Sequence, residues 1–321
     1  MRCLAREGGN MARKSTSSSA APTASTGVDT THNRNPPPPT AAREEPSETQ
    51  VTHTKASDDS DDSPSYRFDF EQNDFENRYR NAPVPHDPSL LPNGSRSLSS
   101  IGMQAFCLGL VFAFTISATA WLANEGYTIW RLPAFFSCLS IFHFLEYYTT
   151  ATYNAPHCRA ESFLIFSNGW HYNTAHALAT LEITISSFFP QYQSALVYPP
   201  YTIATGFLLV FAAQVVRSVA MATAGTNFNH TPVQTRKEDH ELVTQGIYSW
   251  LRHPSYFGFF WWALGTQVLV GNKVCLIGYL IVLWWFFYRR IIAEESTLVK
   301  FFGEDYEKFR KRTPTGIPFI R

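Results

Sequence analysis

Between Ile101 and Arg289 the chain is built of long apolar runs separated by polar connections, six in all, at about 101–123, 129–149, 173–189, 201–222, 256–271 and 274–289. Most approach the ~20 residues that a helix needs to cross the hydrocarbon core of a bilayer, the third and fifth falling short. The spacing is too long for barrel strands, and lipid offers no partner to an open strand edge, so the runs predict helices. The last two are separated by little more than Gly271-Asn272-Lys273, which predicts a tight antiparallel hairpin. The expected fold is an all-α integral membrane protein of about six transmembrane helices, ending in a helical hairpin.

Composition changes this picture only at the amino terminus. The 321 residues are formally neutral and 16% charged, values ordinary for a soluble protein, but they average two unlike parts. Residues 1–98 hold 11 of the 20 prolines, the run Pro36 to Pro39, Ser/Thr-rich tracts and the acidic cluster Asp58, Asp59, Asp61 and Asp62. Such a segment cannot bury a core and is expected to be disordered. Lys and Arg gather over 217–252 and after Arg289, while the connections 124–128 and 190–200 carry none, which places both chain ends in the cytosol. The opening MRCLAREGGNMARK lacks the apolar core of a signal peptide. Five cysteines without paired spacing read as small buried apolar residues. No phosphate-cradling glycine loop and no transporter-like repeat is present.

Candidate chemistry lies where polar residues interrupt the apolar runs, since an ionisable group in hydrocarbon is costly. His143 and Glu146 end the second run, the third holds His176 and Glu182, and the last runs into Arg289, Arg290, Glu294 and Glu295. The pair His143/Glu146 and the lone Glu182 read equally as contacts between helices or as a path for protons. Arg289 reads best as a cation snorkelling to the headgroups. Arg290 and Glu294, four residues apart, share a helix face. At the open end of the hairpin they meet Arg252, His253, Pro254 and Tyr256, and the segment His240 to Tyr248, with its Gly246 turn, is placed to close over them from the water side. Pro254 and Gly258 have plain structural readings as a helix start and a packing notch. Two histidines without a third ligand argue against a metal.

In this order, His240-x-Leu-Val243, Gly246-Ile-Tyr248, Arg252-His-Pro-Ser-Tyr256, Arg290 with Glu294-Glu295, Phe301-Phe-Gly303, Tyr306 and Thr313-Pro-Thr-Gly-Ile-Pro-Phe-Ile320 resemble the protein-S-isoprenylcysteine O-methyltransferase family. The resemblance covers about residues 130–321 and is densest over the last ninety or so. It implies a multi-pass enzyme of the endoplasmic reticulum membrane. That enzyme uses S-adenosylmethionine to methylate the C-terminal carboxylate of farnesylated or geranylgeranylated cysteine on processed CaaX proteins, small GTPases among them, with membrane lipid and no nucleic acid as surroundings. It further implies that the cofactor is held by Gln234, His240, Glu241, Leu242, Val243, Tyr248, His253, Pro254, Ser255, Tyr256 and Glu294. Arg290 is implied at the substrate carboxylate, with Arg252 the second candidate catalytic cation. The organisation expected is then a disordered segment over 1–98, four spans over 99–224, and a cofactor-binding region with the hairpin and a cytosolic tail over 225–321.

The chemistry agrees with the residues. A C-terminal carboxylate, with a reference pKa near ~3.5, is ionised at neutral pH and needs no general base to attack a sulfonium methyl. The site must instead orient it and strip its water, which a fixed cation at the membrane rim does. The aromatic run Phe257 to Trp262 offers apolar surface for a prenyl chain. Phospholipid N-methyltransferases and NADPH-dependent sterol reductases share an Arg-His-Pro-x-Tyr corner, but the Thr-Pro-Thr-Gly-Ile-Pro-Phe-Ile ending favours the carboxyl methyltransferase. A non-catalytic transporter is the remaining alternative.

Overall fold

A computed structural model describes residues 87–197, 199–230, 235 and 241–320. Most of the segment expected to be disordered, together with Gln234 and His240, lies outside the described residues. The described residues contain helices and no strand. The six apolar runs are all helices: α1 Leu98–Asn124, α2 Arg131–Tyr153, α3 Trp170–Phe188, α4 Pro200–Ala224, α5 Pro254–Leu269 and α6 Val274–Phe302, followed by a short α7, Glu304–Arg312.

Four of the six are long and apolar enough to cross a membrane, within Leu98–Asn124, Thr128–Tyr153, Pro200–Asn227 and Val274–Phe302. The other two correspond to the runs that were short in the sequence. At 1.5 Å per residue the 16 residues of α5 reach only ~24 Å, less than the ~30 Å hydrocarbon core. A helix so apolar on every side belongs inside a protein, and Phe260, Trp262, Ala263 and Leu264 are buried there. Conversely, α6 runs thirteen residues past the expected end at 289. Its 29 residues span ~43 Å and carry Arg290, Glu294 and Glu295 on the same continuous helix as the apolar run.

The N-terminal boundary also shifts. Residues 87–97, expected to belong to the disordered segment, are folded: Pro88–Leu90 make a 3₁₀ turn capped by Asp87, and the Ala160 amide donates to the Ser95 carbonyl at 2.9 Å. Ser97, 2% exposed, caps α1 by accepting from the Ser100 amide. Such local Asp and Ser caps order a short polar stretch with no apolar core of its own.

Helices α4 and α5 pack with their backbones nearly touching. A Cβ on Gly258 would fall 2.8 Å from the Ala213 carbonyl oxygen, and one on Gly206 2.4 Å from the Leu269 nitrogen. This bears out the packing-notch reading of Gly258. At the rim holding the 270–273 turn, Glu182 accepts from the amides of Lys273, Val274 and Cys275 at 2.7, 2.8 and 2.7 Å. Its carboxylate closes the positive N-terminus of α6, so it is a structural contact between helices. Arg131 beside it donates to the Thr128 and Val270 carbonyls and to Ser186 and Ser187. At the opposite rim the last residues fold back as a strap. The Arg252 amide donates to the Pro314 carbonyl, Trp284 Nε1 to the Pro318 carbonyl at 2.7 Å, and Thr315, Ile317 and Ile320 are buried. Gly316 has φ +76° and sits where a Cβ would lie 2.5 Å from the Phe257 ring, which accounts for the glycine in that ending.

Candidate functional site

Three polypeptide stretches meet at the rim that carries the strap. The first turn of α5 begins at Pro254, which has no N–H to leave unsatisfied. The far end of α6 stands opposite. The loop after α4 turns away at Gly225, φ +52°, and returns through Glu241–Val243 to a 3₁₀ turn at Gly246–Ser249. Between them is a cleft open to solvent.

Glu241, Leu242, Val243, Tyr248, His253, Pro254, Ser255, Tyr256 and Glu294 all line this cleft, as does Arg252. Every described residue of the expected cofactor set is thus brought together. Gln234 and His240 lie outside the described residues. Asn227, Phe228 and Asn229 on the floor, Tyr306 and Phe309 from α7, and Ala224, Leu298 and Phe302 complete the lining. The three floor residues carry no motif of their own that pointed to them.

One hydrogen-bonded chain crosses the hairpin. Arg290 Nε donates to the Tyr256 hydroxyl at 2.8 Å, and that hydroxyl donates to Glu294 Oε2. A second Arg290 nitrogen, Nη2, donates to the His230 carbonyl, and the guanidinium lies 5.2 Å from the Tyr256 ring centre and 5.7 Å from that of Phe286. Arg289, one residue earlier, is exposed and lies over the Trp285 ring at 5.6 Å. It faces outward as expected for a snorkelling cation, and the two arginines serve different faces of one helix.

Arg252 and His253 answer to a different acid. Glu295 Oε1 accepts from Arg252 Nε at 2.6 Å and bonds His253 Nε2 at 3.1 Å, while Arg252 Nη1 donates to the Thr313 carbonyl at 2.8 Å. All three side chains are about 5–6% exposed. Arg252, expected as a second catalytic cation, ties α5, α6 and the strap together and also lines the cleft, with Nη2 alone of its guanidinium nitrogens left without a hydrogen bond. His253 stacks flat on Tyr256 with 5.4 Å between ring centres, so Glu295 fixes the plane on which that stack rests. Adjacent residues on a helix point ~100° apart, which is why Glu294 reaches into the cleft and Glu295 behind it.

Burial pushes the Tyr248 phenol well up, and the Glu294 charge adds to this against the opposing pull of Arg217. Burial also holds His230 below its usual value, opposed by Glu146 and reinforced by Arg217 and Arg290. Neither Glu146 nor Arg217 was placed in the site by the sequence. The signal available for Arg217 was an arginine inside the fourth apolar run.

A family model, isoprenylcysteine carboxyl methyltransferase, matches residues 204–300. The chain is 42% identical over 231 residues to the protein-S-isoprenylcysteine O-methyltransferase of Saccharomyces cerevisiae, covering 70% of this chain and 92% of that one. It is 38% identical over 223 residues to that of Homo sapiens, covering 69% and 75%. Among solved structures it is similar to a eukaryotic intramembrane Ras methyltransferase, with a TM-score of 0.63 and 34% identity over 69% of this chain and 77% of that one. An all-helical membrane body, a rim cleft lined by the expected residues and relatives matched over most of their length agree, and the chain belongs to the isoprenylcysteine carboxyl methyltransferase family.

Proposed function

We propose that the rim cleft binds S-adenosylmethionine and that the enzyme passes its methyl group to the C-terminal carboxylate of a prenylated cysteine. The single observation that carries this reading is the convergence of Glu241–Val243, Tyr248, His253–Tyr256 and Glu294 on one cleft, one helical turn from Arg290. The donor set suits that cofactor. Aromatic faces at Tyr248 and Tyr256 favour a sulfonium cation, and the Glu294 carboxylate suits hydroxyl or ammonium donors.

When bound, S-adenosylmethionine supplies a methyl carbon attached to a positively charged sulfur. The acceptor carboxylate arrives ionised, so no proton has to move. With the donor bound, its oxygen would form the new C–O bond as the C–S bond breaks, leaving the bonding pair on the departing neutral thioether. Arg290 holds the carboxylate, and Tyr256 and the His230 carbonyl hold Arg290. The aromatic wall of α5 and α6, Phe257, Trp261 and Phe286 among it, offers the prenyl chain a route from the lipid. Placing Arg290 at the limit of the hydrocarbon lets the apolar and ionic ends of one substrate be met together.

The remaining features follow. Helix α7, whose Tyr306 and Phe309 line the cleft, also carries Lys308, Arg310, Lys311 and Arg312, and by the positive-inside rule that rim and both chain ends face the cytosol. This orientation in the endoplasmic reticulum membrane gives access to processed CaaX proteins such as small GTPases. Membranes containing the full chain, incubated with methyl-labelled S-adenosylmethionine and a small farnesyl- or geranylgeranyl-cysteine, should yield a base-labile methyl ester. Label transfer to phosphatidylethanolamine instead, or no transfer, would overturn the assignment.

A further inference from the structure

Glu146 is wholly buried at 0% exposure in the body of α2, outside the cleft, and its partners explain why. Both carboxylate oxygens are taken by Arg217 of α4, Oε1 by Nε and Oε2 by Nη2 at 2.7 Å. The third guanidinium nitrogen, Nη1, reaches across to α5 and donates to the Ser255 carbonyl at 3.1 Å and to the Ser255 hydroxyl at 3.0 Å. Ser255 belongs to the cleft wall. Gly258 makes this reach possible, since a Cβ there would lie 2.7 Å from Arg217 Cβ. Glu146 Oε2 is also 3.7 Å from His230 Nδ1, and the His230 carbonyl is the one that holds Arg290.

A buried ion pair adds little stability over an apolar pair of the same volume, because desolvation offsets the attraction. Its use here is geometric. The planar fork of Arg217 leaves one direction for Nη1 once Nε and Nη2 are fixed by Glu146, and that direction ends on the first turn of α5. We propose that Glu146 is a positioning residue: acting through Arg217, it holds the α5 corner, His253 to Tyr256, in the conformation that accepts the methyl donor. This rests on the reading of the cleft as the donor site.

Two measurements on purified full-length chain in lipid nanodiscs test it, with Glu182→Gln as control because Glu182 anchors α6 at the opposite rim. Glu146→Gln should raise backbone amide exchange over 253–257 and raise KM for S-adenosylmethionine roughly tenfold or more, while kcat stays within about threefold, the split expected when a binding geometry and not the transition state is lost. Glu182→Gln should leave exchange at 253–257 and that KM unchanged. Glu146→Asp keeps the charge, so it covers the case in which Gln does not insert. Its shorter arm should pull Arg217 off Ser255 and give a smaller rise of the same kind. Unchanged exchange and KM in whichever Glu146 variant inserts, or equal effects from Glu182→Gln, would overturn the proposal. The exchange measurement needs no turnover, so it reads the corner even where methyl transfer to prenylcysteine fails and the functional assignment falls.

Discussion

Replacing Arg290 separates the two ways in which an arginine at a membrane rim can matter. Its guanidinium is fixed by Tyr256 on one nitrogen and the His230 carbonyl on another, which leaves Nη1 to meet a carboxylate. Removing the charge leaves a dehydrated carboxylate without a partner, a loss of about 2–5 kcal/mol by analogy with buried charge pairs. That corresponds to roughly 30- to several-thousand-fold in rate. Arg290→Lys keeps the charge but replaces the fork with a point donor on a flexible stem, which cannot hold Tyr256, the His230 carbonyl and the substrate in fixed directions at once. We expect Arg290→Lys to lose at least the lower figure, ~30-fold in kcat/KM for the prenylcysteine. Arg289→Lys, exposed and facing outward, should remain within about threefold of the parent, as is usual for surface changes. The assay is initial-rate methyl transfer at saturating donor, normalised to inserted protein. An active Arg290→Lys beside a dead Arg289→Lys would refute the reasoning, since the substrate would then lie on the other face of α6.

Three further outcomes follow. Deleting residues 1–86 should leave methyl transfer intact, whereas deleting 1–97 should lower thermal stability, because Asp87 to Ser97 form caps and a contact to Ala160; a large activity loss from the shorter deletion would contradict this. Glu294→Gln should raise KM for S-adenosylmethionine by about tenfold through loss of a charge-assisted contact, with little change in KM for prenylcysteine, and the reverse pattern would move Glu294 out of the donor site. Because His230 is held below its usual pKa, the unfolded chain takes up a proton below pH ~6.5 that the folded chain resists, so stability falls as pH drops through that value, by at most ~1.4 kcal/mol per pH unit. Melting temperatures at pH 7.5 and 5.5 should show a loss that His230→Asn reduces.

What the sequence made legible was whatever depends on neighbours along the chain. Apolar run length placed all six helices, and the three-residue turn at 271–273 placed the hairpin. The spacing from Arg290 to Glu294 placed both on one face, and the motif order named the described residues that line the cleft. Run length did not say how far α5 is wrapped by protein; the burial of Phe260, Trp262, Ala263 and Leu264 and the close approach of Gly206 and Gly258 to neighbouring backbone show it. Nor does hydropathy end a helix, so α6 was cut at Arg289 where its lipid contact ends and not where its hydrogen bonds do.

The partners of the buried charges were out of reach for the same reason. Arg217 and Glu146 are 71 positions apart and Glu182 and Cys275 are 93 apart, and an ionisable residue in an apolar run reveals that it must be paired but not with what. Glu146 and Glu182 had identical sequence readings. One closes a helix terminus through backbone amides, a task that any acceptor of the right reach fulfils in part. The other grips a guanidinium by both oxygens and so sets the direction of its third nitrogen. Only the second arrangement transmits position to the cleft, which makes the difference between the two glutamates one of partner geometry and not of burial or charge.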